Sequence, residues 1–464
     1  MVNQPVTGSQ GGQAIAKLLI GSCDVVATMD DDGTELSGGS ILIEDGSIIW
    51  VGASDPPDDA GAQRIDGRGT VALPGLVNTH HHLFQSLTRV RAQEHGLFDW
   101  LRELLPVWSG LDVEWVRAAA SVGLAELALS GCTTTADHHY VFPSGRSGLL
   151  EAEIDAAREI GLRFHPCRGS MDRSEFGSGV SQSLVQDTDT VLAESEEALR
   201  RFHDPAPGAM LRIAIAPCSP FSATDRLMRE SAELARRVGV RLHTHIAETI
   251  DEERFCLETY GKRPLEFLDE VGWLGPDVWL AHCVQLGEKD VSRIAETGTG
   301  AAWCPSSNMR LGSGVAPARS LLDAGAVVGI GVDGSASNDV GHMLAEARQA
   351  LLMARSSGDS TAMSAREALR VATRGGAECL GRDDIGSIEP GKRADIALVG
   401  TNELGFAGAE SDLLAAVLFC APSRVRDLFV DGQPVVLGEQ LVHADEDGIA
   451  TEGRRVAKNI AANG

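Results

Sequence analysis

Positive charge is what this sequence lacks most: 40 Lys and Arg stand against 66 Asp and Glu, a formal net charge of -26 over 464 residues. A surface of that sign repels phosphate backbones and anionic lipid, which excludes nucleic acid polymers and membranes as partners and leaves a small molecule. No Cys-x-x-C pair occurs among the nine cysteines, which argues against a disulfide framework or a thiolate zinc knot and points to a reducing compartment, the cytoplasm. No run of about 18 uninterrupted apolar residues is present, so no transmembrane helix is expected. The opening MVNQPVTGSQGG has neither the basic nor the apolar region of a secretory leader and predicts a disordered tail over residues 1–14. Low-complexity segments and short-period repeats are missing. So is the H-x-E with P-C-x-x-C pattern of the cytidine deaminases.

What is there has a rhythm. The length suggests one large domain and something smaller. Residues 15–73 alternate short apolar runs with Asp-Gly and Gly-rich joints, as in SILIEDGSIIWVGA, and predict strands. After Pro74, runs of four to eight apolar residues alternate with amphipathic helical stretches, the pattern of βα units around a parallel sheet. Eight such runs can be counted: LVNTHHH, TTTADHHY, RFHPCRGS, LRIAIAPC, VRLHTHIAE, VWLAHC, GAAWCP and VVGIGVDG. Residues 74–382 therefore predict a (β/α)₈ barrel of the TIM type. Residues 383–445 return to short strands, so that both chain ends build one small β-sandwich, and residues 446–464 form a C-terminal tail or helix.

Active sites of such barrels lie at the carboxyl ends of the strands. The first run ends in Asn78-Thr79-His80-His81-His82, and alternation sends His80 and His82 to one side and His81 to the other. An H-x-H pair is a two-imidazole arm for a divalent metal. The fifth run carries His243, His245 and then Glu248, the sixth ends in His282 and the eighth in Asp333. One such residue alone is more often a satisfied core group. Structural histidines have no reason to collect at one rim, whereas a metal with a neighbouring acid and base requires it. The run Gly329–Gly334 is formally a G-x-G-x-x-G, but it closes the last strand and contains Asp333, so a dinucleotide fingerprint is the wrong context.

These residues resemble a family. The segments PGLVNTHHHLFQSL, HTHIAET, LAHC, CPSSN, GVDGSASND and GSIEPGKRADIAL are similar to those of the amidohydrolase superfamily. The branch is that of guanine, cytosine and S-adenosylhomocysteine deaminases and the s-triazine hydrolases. Within it, HHYVFP, RGSM, APCSPFS and CPSSNMRL resemble bacterial 8-oxoguanine deaminases. The resemblance implies that His80, His82, His245 and Asp333 hold one divalent ion per chain, zinc or iron, and that Glu248, His282 and Asp333 are catalytic. Such a ligand set keeps a position for water and lowers its pKa toward about 7. The expected activity is hydrolytic deamination of a purine-like heterocycle, 8-oxoguanine to urate plus ammonia. The alternatives are an s-triazine hydrolase, a guanine or isoguanine deaminase, or a non-catalytic binding relative.

For the substrate the same resemblance points to Gln85, three residues after His82. Tyr140, Arg168 and Ser219, which close the second, third and fourth runs, are expected to line the pocket. Trp303 is a departure, because most relatives of this branch have a histidine directly before the Cys-Pro; it is expected near the pocket and puts substrate identity in doubt. Trp108 and Phe84 read as core. A homo-oligomer is the expected assembly.

Overall fold

Strand geometry explains the architecture, because successive side chains leave a strand on opposite faces. In the computed structural model, which describes residues 15–174, 182–356, 358–420 and 423–463, each of the eight predicted runs coincides or overlaps with one strand, and these close into a parallel barrel. In chain order they are Leu76–Asn78, Cys132–His139, Arg163–Ser170, Ala214–Pro217, Leu242–Ile246, Val278–His282, Gly300–Trp303 and Val327–Ile330. The last pairs with the first through Ile330 opposite Asn78. The inner faces supply a narrow core of small residues with one large ring: Val77, Ala136, Cys167, Ala214, Ala216, Trp279 and Ala302. The outer faces, among them Phe164, Ile215, Leu242, Ala301 and Trp303, pack against the helices. Strands covered on both faces read as apolar runs rather than as alternation. The expected N-terminal tail, residues 1–14, lies outside the described residues.

The helices start and stop where local chemistry dictates. Asp225–Val238 is capped by Thr224, whose hydroxyl accepts the amide of Leu227 at 3.2 Å. It buries Leu227, Met228, Ser231, Ala232, Leu234 and Ala235 and ends at Gly239, which takes a φ of 75° that a side chain would resist. The C-terminal helix Glu446–Asn463 lies on Val113–Leu129 and buries Val456 and Ile460.

Both chain ends join in one nine-stranded sheet, so the two layers of the expected sandwich are continuous through their hydrogen bonds. Thr70–Pro74 is its seam: it pairs antiparallel with Ile396–Gly400 and parallel with Lys17–Ala27. Alternation then divides the faces. Ala72, Ile396, Leu398 and Phe429 join Leu18, Ile20, Ile41 and Ile43 in a separate core. Val71, Leu73, Ala397, Val399, Leu428 and Val430 point the other way, into the core that the sheet shares with the barrel. Arg163 bolts the two parts together, with its guanidinium on Asp395 at 2.7 Å and Asp431 at 2.6 Å.

Candidate metal centre and active site

Three imidazoles and a carboxylate converge at the carboxyl end of the barrel. The backbone turns sharply there: Ala247, His282, Cys283 and Asp333 have φ of 49°, 72°, 54° and 63°. Such values are unfavourable for residues with a side chain and collect where function over-determines the chain. Asn78 ties the rim together, since its side chain donates to Thr135 Oγ1 at 3.0 Å and accepts from the amide of Val332 at 2.9 Å. The amide of Asp333 in turn donates to His80 O at 3.0 Å.

The proton inventory of the histidines shows what this nest is built to hold. His82 Nδ1 lies 2.7 Å from His138 O and His245 Nδ1 lies 2.6 Å from Cys218 O. A carbonyl only accepts, so both Nδ1 atoms carry the proton and both Nε2 atoms present lone pairs. His243 Nδ1 likewise donates to Trp279 O at 2.8 Å, which leaves His243 Nε2 to accept from His80 Nδ1 at 2.8 Å. His80 Nε2 is therefore a lone pair too, buried and without a hydrogen-bond partner. Burial pulls the pKa of all three converging imidazoles down, so protons do not resolve the contact. Yet His82 Nε2 and His245 Nε2 lie only 3.1 Å apart, and Asp333 Oδ1 is 3.3 Å from both His80 Nε2 and His82 Nε2. Converging lone pairs and a carboxylate repel unless a cation sits among them, so the donor set fits a divalent metal. Asp333 is oriented by Gly334 N at 2.7 Å on Oδ1 and by Ser337 Oγ at 3.0 Å on Oδ2.

Glu248 and His282 flank the nest. Glu248 Oε2 is 3.4 Å from His282 Nε2, while Glu248 Oε1 is buried with no partner. Burial pushes the Glu248 carboxyl up to about 7, against the pull of His282. His282 goes the other way: burial opposes its charge, but Glu248 and Asp333 outweigh it and raise the imidazole above its ordinary value. His282 Nδ1 donates to Asn308 Oδ1 at 3.0 Å. Glu252, three positions into the next helix, holds the turn by accepting the amides of Ala247 at 2.9 Å and Glu248 at 2.8 Å.

Comparison with known proteins places this geometry. The amidohydrolase family profile matches residues 71–435. Among characterised relatives, an 8-oxoguanine deaminase of Pseudomonas aeruginosa is 48% identical over 94% of this chain and 98% of its own length. A hydroxydechloroatrazine ethylaminohydrolase of Pseudomonas sp. strain ADP is 39% identical over 94% of each. Among solved structures, an atrazine chlorohydrolase from Arthrobacter aurescens TC1 complexed with zinc superposes with a TM-score of 0.91, at 35% identity, over 95% of this chain and 100% of that one. The chain belongs to the amidohydrolase family.

The pocket of this amidohydrolase opens directly above the nest. Tyr140, Glu248, His245, His282 and Asp333 line it, with apolar walls from Trp100, Leu101, Met171, Phe221 and Leu311. Of the five residues expected to bind substrate, only Tyr140 lines it. Ser219 is buried and is hydrogen-bonded to Ser222 Oγ at 2.8 Å, and Ser222 is the member of this pair that lines the pocket. Gln85 sits one layer behind, packed against Gly334, with neither end of its buried amide hydrogen-bonded. Arg168 and Trp303 do not reach the pocket, and strand alternation is the reason. Cys167 and Ala302 take the inner positions of their strands, so their neighbours face the helices. Arg168 pairs there with Glu194 at 2.6 Å and stacks on Phe142 at 3.7 Å, and Trp303 joins the outer core. The replacement of a histidine by Trp303 therefore leaves the pocket wall untouched.

Sequence reasoning missed three side chains and one helix. His138 stacks on His245 with centroids 4.7 Å apart, inside the same cluster. Asn308 and Ser337 orient His282 and Asp333. The helix Leu97–Trp108 roofs the pocket; its buried Leu97, Trp100, Leu101, Leu104, Leu105 and Trp108 follow the i, i+3, i+4, i+7 spacing of an amphipathic helix, a signal present in the sequence. No helix among the described residues is long and apolar enough to cross a membrane.

Proposed function

We propose that this amidohydrolase deaminates 8-oxoguanine to urate and ammonia and holds one zinc ion per chain on His80, His82, His245 and Asp333. The observation that carries the reading is the pairing of a free, buried Glu248 Oε1 with a lone-pair nest beside it. The hydrolysis needs one group to take a proton from water and pass it to the leaving amine, and another to give a proton to the ring. A divalent ion held by these residues supplies the Lewis acidity that makes water a nucleophile at neutral pH. Asp333 accepts the proton of the attacking water. Glu248 delivers a proton from Oε1 to the ring nitrogen next to the attacked carbon. His282 Nε2, steadied by Asn308, stabilises negative charge on the entering oxygen. Asp333 passes the proton taken from water to the leaving amine, the carbon–nitrogen bond breaks as ammonia departs, and the proton of the new hydroxyl returns to Glu248 as the ring carbonyl forms. The apolar walls of Trp100, Phe221 and Leu311 suit a flat ring and exclude water.

The 48% identity to an 8-oxoguanine deaminase supports this substrate. The likeness to an atrazine chlorohydrolase supports a second reading, a triazine hydrolase with the same nest. The test is ammonia release from 8-oxoguanine, guanine, isoguanine, cytosine, S-adenosylhomocysteine and hydroxy-s-triazines, alongside metal analysis. The expected result is the highest kcat/KM on 8-oxoguanine and about one metal per chain; preference for a triazine would overturn the substrate, and full activity in metal-free protein would overturn the mechanism. The reading extends to a cytoplasmic homo-oligomer, which the unpaired cysteines and the family support. Sedimentation showing only a 49.0 kDa species would refute the assembly.

A further inference from the structure

A second cavity, of about 470 Å³, lies at the opposite end of the barrel, where the third to sixth strands begin. It is lined by His165, His203, Arg212, Arg236 and Arg241, a strongly basic wall in a protein of net charge -26. Arg236 is neutralised by Asp277 at 2.9 Å, and the nearby Asp384 is taken by Arg382 at 2.7 Å. Arg212 and Arg241 are different. Among the described residues neither has a carboxylate within ion-pairing distance. Arg212 donates only to the carbonyls of Gly381 and Ala206, each at 3.2 Å. Arg241 donates only to those of Pro276 at 2.8 Å and Cys379 at 2.7 Å. Carbonyls take hydrogen bonds but cancel no charge. Each guanidinium has five N–H groups, and in both residues the Nε is buried with no partner at all.

The surroundings add a further donor, and the carboxylate that lines the cavity, Asp277, is already paired with Arg236. His203 Nδ1 accepts the amide of Ile213 at 3.0 Å, so its Nε2 keeps the proton and can donate. The backbone approach is fitted to Arg241: a Cβ on Gly381 would stand 2.7 Å from its Nη1. Burial pulls both guanidiniums below their ordinary pKa; the like charge of Arg382 adds to this at Arg212, while at Arg241 the upward pull of Asp277 exceeds the downward effect of Arg212. The remaining aspartates around Arg212 are Asp204, Asp383 and Asp384, none within 4 Å. The overall negative charge does not cancel such a cavity, because exposed charges beyond about 8–10 Å are screened at physiological ionic strength.

We propose that this cavity is a binding site for a small oxyanion of the phosphate class, held between the forks of Arg212 and Arg241 and assisted by His203. Planar guanidiniums match a tetrahedral oxyanion through paired N–H donors. Free phosphate and a phosphomonoester share this chemistry, and the titrations separate them. The test uses the metal-loaded full chain, titrated calorimetrically with inorganic phosphate and then with glycerol phosphate, and melted in phosphate against sodium chloride of equal ionic strength. The expected result is one saturable site per chain and a Tm rise beyond that given by chloride. The tighter ligand of the two names the source. Arg212→Gln and Arg241→Gln should each weaken binding roughly tenfold or more, since each removes charge-assisted bonds, and should leave kcat on the deaminase substrate unchanged. Arg212→Lys and Arg241→Lys, which keep charge and packing but lose the fork, should weaken it several-fold and guard against a folding artefact. No phosphate binding by the wild type would overturn the proposal. So would binding that survives undiminished in the variants, which would place the anion at the metal centre instead.

Discussion

Replacing Glu248 with glutamine removes a titratable proton and the carboxylate charge that acts on His282, and keeps the shape of the side chain. The residue is 3% exposed, its backbone amide is held by Glu252 at 2.8 Å, and it is not among the four ligand candidates. An amide fills the space of a carboxyl group, so the turn, the metal and the pocket should persist. What is lost is transfer from Oε1 to the ring nitrogen and the partnership with His282 Nε2 at 3.4 Å. General acid–base catalysis is commonly worth about 10² to 10⁴ in rate, and at about 1.36 kcal/mol per factor of ten the barrier should rise by about 2.7 to 5.4 kcal/mol. Steady-state ammonia release from 8-oxoguanine measures the turnover, elemental analysis measures the metal, and a melting curve checks the fold. The expected outcome is wild-type metal content and Tm with kcat down at least a hundredfold. If Glu248→Gln kept more than about a tenth of wild-type kcat, a loss too small for a missing proton shuttle, the role assigned to Glu248 would be wrong, and His282 would be the group to test.

Three other outcomes follow from the geometry. His80→Ala and His82→Ala should lose bound metal, whereas His81→Ala should retain it and only lower Tm, because His81 faces the helix carrying Gly123; equal metal loss in all three would contradict the alternation. Ser337→Ala deletes the 3.0 Å hydrogen bond to Asp333 Oδ2 and should reduce metal affinity or activity by about 10- to 100-fold, read by competition with a chelator. Arg168→Met should leave KM unchanged while costing about 1.5–3 kcal/mol of stability in a denaturant titration. The lower end is expected because Glu194 is 50% exposed and water compensates for it; a raised KM would return Arg168 to the pocket.

The sequence by itself determined the barrel and the chemistry of its rim. Eight apolar runs separated by amphipathic stretches admit few arrangements, and the H-x-H spacing puts two imidazoles on one side of a strand whatever surrounds it. Alternation was equally available for Arg168 and Trp303: Cys167 and Ala302 are the inner residues, so their neighbours had to face outward. Local periodicity did not decide what depends on contacts between distant segments. The ring protons of His82 and His245 are set by the carbonyls of His138 and Cys218, 56 and 27 residues away along the chain. Asn308 reaches His282 only because the short helix Pro305–Arg310, after the seventh strand, packs beside the end of the sixth. The continuity of the two terminal strand groups in one sheet required Thr70–Pro74 to find Ile396–Gly400. The basic cavity beneath the barrel joins Arg212 and Arg241 to Gly381, which stand far apart in the chain. Period and spacing report which way a side chain leaves its own backbone; which proton, charge or carbonyl it meets there is decided by segments that only folding brings together.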